Sequence, residues 1–397
     1  MINYFNLKRE KKIPKLIIVV NDANFFLSHR RKIGLLAISY GFQVNVVAPF
    51  ELEAKRIINE MGIRFISWNV SRRGANPIIE LYHIINLIFI YKKYKPDIVH
   101  HVTQKPVVYG SIAALVCRIP GIVNALSGLG YSYTKGVGAG SLIAWMTRRL
   151  NSYIHNSKKI ITIFQNPDDR NLFIDNKMIE EYRTRLILGS GVDPNIYFPM
   201  KNKLSKIPII ILSSRMIYDK GVELLVDACR DLRAQGVLFK LILCGGLDLG
   251  NPRFIPEKVL LAWCSEGIVE WNGHVSNMIP LYQNSSICCL PTTYREGIPR
   301  ALIEAASCGL PIITTDAPGC REIVIDGYNG YLILPNDKVA LVEKIKKLIN
   351  NEKLCNLMGE NGRNRVISLF TEKSVARKHI KIYNDLLLLR RKSEDSL

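Results

Sequence analysis

The chain has 397 residues, 48% of them apolar and 22% charged, and a formal net charge of +20. That length exceeds the roughly 250–300 residues at which a single core stops growing, so two domains are expected. The composition excludes disordered and fibrous classes, and nine cysteines without a C-x-x-C pair exclude a disulfide frame or zinc site, reading instead as reduced, buried thiols.

Lys8, Arg9, Lys11, Lys12 and Lys15 lead into Leu16–Val20, an apolar run too short for a signal-peptide core, so secretion is not expected. The pattern then predicts strands at Leu16–Val20, Val44–Ala48, Arg64–Trp68, Ile98–Val102, Ile122–Ala125, Ile160–Phe164 and Leu186–Leu188. Helices are predicted at Ser28–Tyr40, Glu51–Met61, Pro77–Tyr94, Val107–Arg118, Ser141–Asn156 and Pro167–Asn176. Gly189–Lys206 is rich in turn residues and lacks periodicity, which marks a boundary. Beyond it the alternation restarts, with strands at Ile207–Leu212, Phe239–Cys244, Ile268–Trp271, Ile287–Leu290 and Ile312–Thr314. Helices accompany them at Gly221–Gln235, Pro256–Ser265, Asn277–Asn284 and Arg300–Cys308, and three more charged ones follow at Lys338–Asn350, Glu352–Ser368 and Lys373–Arg391.

Repeated β-α alternation argues for parallel sheets covered on both faces. The expected fold is α/β, two doubly wound Rossmann-like domains facing each other across a cleft. Residues 1–190 form the first, 191–206 the linker, 207–372 the second, and 373–397 a terminal helix placed to pack back on the first. A ligand is expected near the carboxyl ends of the strands.

Charge is uneven. Residues 1–200 carry 27 Lys and Arg against 13 Asp and Glu, a net of +14, with no acid between Asp97 and Asp168. Such a field draws an anionic partner: nucleic acid, phospholipid headgroups or a phosphorylated substrate. In Ser141–Asn156 an apolar stripe (Leu142, Trp145, Met146, Leu150, Tyr153) runs beside Arg148 and Arg149, which suits a helix lying in a headgroup layer and equally a helix facing a core. Pro77–Tyr94, preceded by Arg72 and Arg73, is a second such segment; Glu80, His83, Asn86, Lys92 and Lys93 interrupt it, so it is not expected to span a bilayer.

The most informative stretch is Tyr294–Val324. Thr292, Thr293 and Gly297 mark a turn after an apolar strand, and Pro299 suits the first position of a helix. Glu296 then lies in the turn and Glu304 on the helix's second turn. A loop carboxylate beside free amides, with a second carboxylate further along, can grip a sugar nucleotide; acidic side chains opposing the macrodipole of a solvated helix explain the pair as well. Arg215 and Lys220 share one loop between a strand and a helix, where two cations can neutralise a diphosphate. The chain has no D-x-D element to hold a divalent ion, so no metal site is expected. Trp271 and His274 end a strand, as contacts to a nucleotide base or as a buried strand end. Gly245 and Gly246 permit close approach of a nucleotide or mark an ordinary turn. The loop Asn21–Ile33 has no glycine, which disfavours a nicotinamide enzyme, and the run Gly136–Gly140 lacks a preceding strand and reads as a mobile loop.

Five motifs stand in order: SSRMIYDKG at Ser213–Gly221, CGG at Cys244–Gly246, WNGHV at Trp271–Val275, YREGIP at Tyr294–Pro299 and GLPIITTDAPGCREIV at Gly309–Val324. Together they resemble the family-4 retaining glycosyltransferases of GT-B architecture, over nearly the whole chain. The resemblance implies Arg215 and Lys220 at the leaving diphosphate, Glu304 on the ribose hydroxyls, and Glu296 near the transferred hexose with the Gly297 and Ile298 amides beside it. It implies Trp271 and His274 at the base, and Ser28, His29, Arg30, His101 and Lys105 on the acceptor or phosphate side. Val102 stands where many members carry a catalytic histidine, so no histidine is assigned that role.

The segments FLSHR, TQKPVVYGS and SGLGYSY are most similar to the branch that extends polyprenyl-diphosphate-linked saccharides. The expected activity is metal-independent transfer of a hexose or N-acetylhexosamine from a nucleoside diphosphate sugar, UDP foremost, to such an acceptor, for a surface polysaccharide or glycan. It needs no cofactor and takes place at the cytoplasmic face of an anionic plasma membrane. A nonhydrolysing sugar-nucleotide epimerase shares the architecture. A basic nucleic-acid-binding protein would explain the charge, but no binding motif accompanies it, so no nucleic-acid partner is expected.

Overall fold

The computed structural model describes residues 13–70, 76–128, 159–200 and 205–394. The segment Ser141–Asn156, the Gly136–Gly140 run, Arg72 and Arg73, the basic residues before Ile13 and part of the expected linker lie outside the described residues.

In chain order the first half gives β1 (Lys15–Val19), α1 (Ala23–His29), α2 (Arg31–Ser39), β2 (Gln43–Ala48), α3 (Leu52–Glu60), β3 (Arg64–Ser67), α4 (Pro77–Tyr94), β4 (Ile98–Val102), α5 (Gln104–Val116) and β5 (Gly121–Leu126). After them come β6 (Ile160–Phe164), α6 (Pro167–Asp175) and β7 (Thr184–Leu186). The second half gives β8 (Ile209–Ser213), α7 (Val222–Ala234), β9 (Lys240–Cys244), α8 (Glu257–Ser265), β10 (Glu270–Trp271), α9 (Ile279–Asn284) and β11 (Ile287–Leu290). It ends with α10 (Arg300–Ser307), β12 (Ile312–Thr315), β13 (Gly330–Ile333), α11 (Lys338–Ile349), α12 (Glu352–Leu369) and α13 (Glu372–Glu394).

The strands form two sheets, one ordered β3-β2-β1-β4-β5-β6-β7 and one ordered β10-β9-β8-β11-β12-β13. β1 runs parallel to β2 and β4, and β8 parallel to β9 and β11. Buried on both faces, these strands read as continuous apolar runs, such as Leu16–Val19 and Ile209–Leu212. In each sheet the order reverses once, between β1 and β4 and between β8 and β11. A crevice opens outside the carboxyl ends at such a reversal, and the Arg215–Gly221 and Thr292–Gly297 loops leave β8 and β11 at that point. Compactness divides the chain into two units. The first runs through Ala125 and adds the described residues of Tyr153–Thr162 and Ala376–Leu397; the second takes Leu126–Ser152, again as far as described, and Ile163–Val375.

Two elements depart from the sequence expectation. Ser28 and His29 do not open a helix: the Asp22 carboxylate caps one that begins at Ala23, accepting from the amides of Asn24 and Phe25, and Arg30, at φ −129°, separates α1 from α2. Strand β13 was hidden in a turn-rich text. Gly330 lets it lie against β12, because a Cβ there would sit 2.0 Å from the Ile312 carbonyl oxygen.

Candidate active site

The β8 and β11 loops are locked together by backbone. Gly221 has φ +72°, and a Cβ on it would fall 2.0 Å from the Pro291 carbonyl oxygen, so only glycine fits. The Asp219 carbonyl accepts from the amides of Thr293 (2.9 Å) and Tyr294 (3.1 Å) and from Thr292 Oγ1 (3.0 Å). This brings Lys220, at the end of a short 3₁₀ turn, against Glu296: Lys220 Nζ donates to Glu296 Oε1, with the two side chains only 9% and 14% exposed. The Tyr294 ring lies 5.4 Å from the same ammonium.

Burial first, and the nearby Arg215 guanidinium second, push the Lys220 ammonium down to about 7. Glu296 on its Nζ favours the charged form. Arg215, on the same loop, is half exposed and pairs with Asp248 at 2.5 Å. The two expected cations are thus neighbours of different character, one enclosed and one solvated, on the loop that leaves β8.

The loop carrying Glu296 is clasped from the segment after β6, within the same unit. Asn166, fully buried, donates through Nδ2 to the carbonyls of Glu296 (3.1 Å) and Gly297 (3.2 Å), while its Oδ1 accepts from the Asp169 amide (2.7 Å). Gln165 Oε1 accepts from the Ile298 amide at 3.2 Å, so that amide already has a protein partner. Arg295 pairs with the buried Asp169 at 2.6 Å. Burial raises the Asp169 carboxyl, and the Arg295 guanidinium works against it. Gly297 sits where no side chain fits: its Cβ would lie 2.3 Å from Gln165 Oε1 and 2.7 Å from the Ser127 carbonyl carbon. Gly319, at φ +90°, approaches the Gly297 carbonyl oxygen as closely.

Glu304 is buried on α10. Its Oε1 accepts from Arg300 Nε, one helical turn earlier, at 2.7 Å, and its Oε2 receives Tyr282 Oη at 3.5 Å. Trp271 Nε1 donates to the Gly245 carbonyl at 3.0 Å, which ties the ends of β9 and β10; His274 is exposed beside Gly246. Gly245, at φ +153°, passes so close to Ser214 that any Cβ would overlap its carbonyl oxygen. Close passage of one backbone against another accounts for this glycine.

The residues expected on the acceptor side are dispersed in the first unit. His101 is fully buried, with Nε2 on Tyr91 Oη (2.9 Å) and Nδ1 on Asn124 Oδ1 (2.8 Å); both ring nitrogens have protein partners, and its place is in the core rather than at a ligand. Lys105 lies on the first turn of α5 and pairs with Glu80 at 2.7 Å, whose other oxygen accepts Tyr109 Oη at 2.6 Å, so its charge is already answered within the unit. Ser28 Oγ donates back to the Asn24 carbonyl and lies 2.7 Å from His29 Nδ1. The His29 ring stacks on Phe25, and Arg30 is buried with its guanidinium 5.8 Å from that same ring.

Sequence reasoning missed Gln165, Asn166, Asp169 and Asp219, all of which hold the Glu296 loop. Asn166 before Pro167 reads as a helix cap, which it also is, and nothing local points to its second role. Arg300 was missed as well, although its spacing of four to Glu304 is a signal that could have found it.

Two parallel sheets of this order are the GT-B architecture. Residues 15–165 match the Glycosyl transferase 4-like family and residues 196–365 the Glycosyl transferases group 1 family. The chain belongs to the family-4 glycosyltransferases.

It is 26% identical over 87% of its length to the N,N'-diacetylbacillosaminyl-diphospho-undecaprenol alpha-1,3-N-acetylgalactosaminyltransferase of Campylobacter jejuni, covering 92% of that protein. It is 23% identical over 80% of its length to the UDP-Gal:alpha-D-GlcNAc-diphosphoundecaprenol alpha-1,3-galactosyltransferase of Escherichia coli, covering 82% of that protein. The crystal structure of Anabaena HepE in complex with UDP and glucose shares the fold at a TM-score of 0.76 and 19% identity, covering 94% of this chain and all of that one.

Proposed function

We propose that this glycosyltransferase moves a hexose or N-acetylhexosamine from a UDP-sugar to a saccharide carried on a polyprenyl diphosphate, with retention of configuration and without a metal ion. The reading rests above all on the enclosed Lys220–Glu296 pair beside Arg215, where the β8 and β11 loops meet. The acceptor class is supported by the two curated relatives, whose names specify diphosphoundecaprenol-linked sugars. In this reading the bond between the anomeric carbon and the β-phosphate oxygen breaks. Lys220 and Arg215 take up the developing negative charge, and an acceptor hydroxyl attacks from the same face and passes its proton to the departing phosphate. Glu304 holds the ribose hydroxyls in place of its Arg300 partner. The enzyme works at the cytoplasmic face of an anionic membrane, where such an acceptor is presented.

The test is incubation with a panel of nucleotide sugars and membrane lipid extract, followed by mass analysis of the lipid. A lipid-linked saccharide heavier by one sugar is expected, with free UDP released only when acceptor is present. Epimerised sugar nucleotide with no extended lipid would overturn the assignment. In a parallel titration Glu304→Ala should bind UDP about tenfold or more weakly, as expected for one charge-assisted contact; unchanged affinity would remove Glu304 from the donor site.

A further inference from the structure

Helix α4 is apolar on two faces, and among the described residues its unit covers only one. Leu87, Ile90 and Tyr91 are buried in the core with Trp68, whose Nε1 donates to the His83 carbonyl at 3.1 Å. On the other side Ile78, Tyr82, Ile85 and Phe89 recur at intervals of four, three and four residues and are 80%, 58%, 40% and 66% exposed. These intervals place them in one stripe, about 16 Å long at 1.5 Å per residue. Leu81 borders it, 56% exposed. Packing against the core explains one face of this helix and leaves the second without a structural reason.

The exposed charges at the end of α4 and just beyond it, and at the end of α5, have one sign. Glu80 is the sole acid between Glu60 and Asp97, and it is turned toward Lys105 and Tyr109. At the other end the stripe runs into the exposed Lys92 and Lys93, with exposed Lys95 just beyond the helix. The end of α5 lies alongside, where Cys117 Sγ is 3.6 Å from the Ile88 carbonyl oxygen, and it adds exposed Val116 and Arg118. An aromatic and aliphatic band edged by cations matches an anionic bilayer surface, with apolar side chains at the acyl boundary and ammonium groups at lipid phosphates. A second copy meeting it through this same face would bring the same basic rim and be repelled.

Among the described residues no helix is long and apolar enough to cross a membrane, so α4 would lie on the surface and not span it. We infer that the exposed face of α4 is a docking surface for anionic lipid. This rests on the reading of the acceptor as lipid-linked, and it names the surface that would bring the enzyme to that acceptor.

The test is flotation of the full chain with phosphatidylcholine vesicles made with or without phosphatidylglycerol. Binding is expected only to the anionic vesicles. Ile85→Glu with Phe89→Glu should reduce it by about tenfold or more, since apolar burial drives insertion. Lys92→Glu with Lys93→Glu should reduce it similarly and flatten its salt dependence, each basic residue near the surface being worth several-fold. All four positions are exposed, and an unchanged thermal melt would show that the fold survives.

Equal flotation of wild type and the Ile85/Phe89 variant overturns the inference. So does no preference for anionic vesicles, or an effect of that variant on self-association alone. Transfer to a water-soluble diphospho-saccharide separates the two readings. Transfer without flotation removes the surface and spares the activity, whereas flotation without transfer to any acceptor does the reverse.

Discussion

Lys220 Nζ donates to Glu296 Oε1 across the two loops that leave β8 and β11, and both side chains are largely enclosed. Losing one partner of such a pair leaves the other charge buried and uncompensated, at a cost of roughly 3 kcal/mol. Lys220→Met should therefore lose about that much stability in urea unfolding and also about 10²–10³-fold in kcat/KM, the usual effect of deleting one group that stabilises a developing anion. Adding Glu296→Gln should restore most of the stability and none of the activity. Equal stability of the single and double variants would show the pair to be energetically idle, and near-normal turnover by either would remove Lys220 from the leaving-group role.

A leaving-group role for Lys220 predicts a pH limit on turnover. Its ammonium, held at about 7 by burial and by Arg215, is charged below that value and neutral above it. Because kcat/KM reports the free enzyme, it should fall about tenfold per pH unit above roughly 7. A bound diphosphate favours the ammonium, so kcat should hold to higher pH. Lys220→Arg keeps its charge throughout and should lose this limb, whatever its absolute rate. A limb unchanged in that variant would belong to another group.

Asn166 and Gly297 test the clasp. Asn166→Asp keeps an oxygen for the Asp169 amide but turns a second oxygen toward the carbonyls of Glu296 and Gly297. If the clasp positions Glu296, kcat should fall by up to about 10²-fold with donor KM little changed, because a displacement of about 1 Å at a reacting centre has that effect. Asn166→Ala should behave alike. If the residue is only a helix cap, Asn166→Asp should match wild type. Gly297→Ala, which forces a Cβ against the Ser127 backbone, should reproduce the kcat loss.

Strands such as Ile209–Leu212 and Ile287–Leu290 were legible because burial on both faces writes an unbroken apolar run. The β8 and β11 loops were legible as candidate site loops because Arg215, Lys220 and Glu296 follow strand ends, where a doubly wound sheet opens a crevice. The clasp was not, since Asn166 and Glu296 are 130 residues apart and each has an ordinary local reading. His101 misled for a related reason. It lies at the end of β4, as a ligand-facing residue would, but the small Gly110 on α5 makes room for its ring in the core, where a Cβ would come within 2.3 Å of it. Lys105 lies on the expected loop side of β4, and only the fold reveals that Glu80 reaches it first.

Placing His101 in the core carries a stability signature. Burial pushes the imidazole down to about 4 from its ordinary 6.5, and the neutral ring fits its partners, with Nδ1–H donating to Asn124 Oδ1 and Nε2 accepting from Tyr91 Oη. The unfolded chain then binds a proton that the folded chain refuses. Stability from this group is complete above about 6.5 and is lost as pH falls toward 4, at about 1.4 kcal/mol per pH unit and roughly 3 kcal/mol in all. His100, also buried and depressed beside the His379 ring, adds to the loss in the same direction. Urea unfolding at a series of pH values should show this decline, with a shallower slope in His101→Gln even though that variant starts less stable. Parallel slopes in variant and wild type would mean that His101 takes up its proton while folded, and that the Tyr91–His101–Asn124 chain does not hold it neutral.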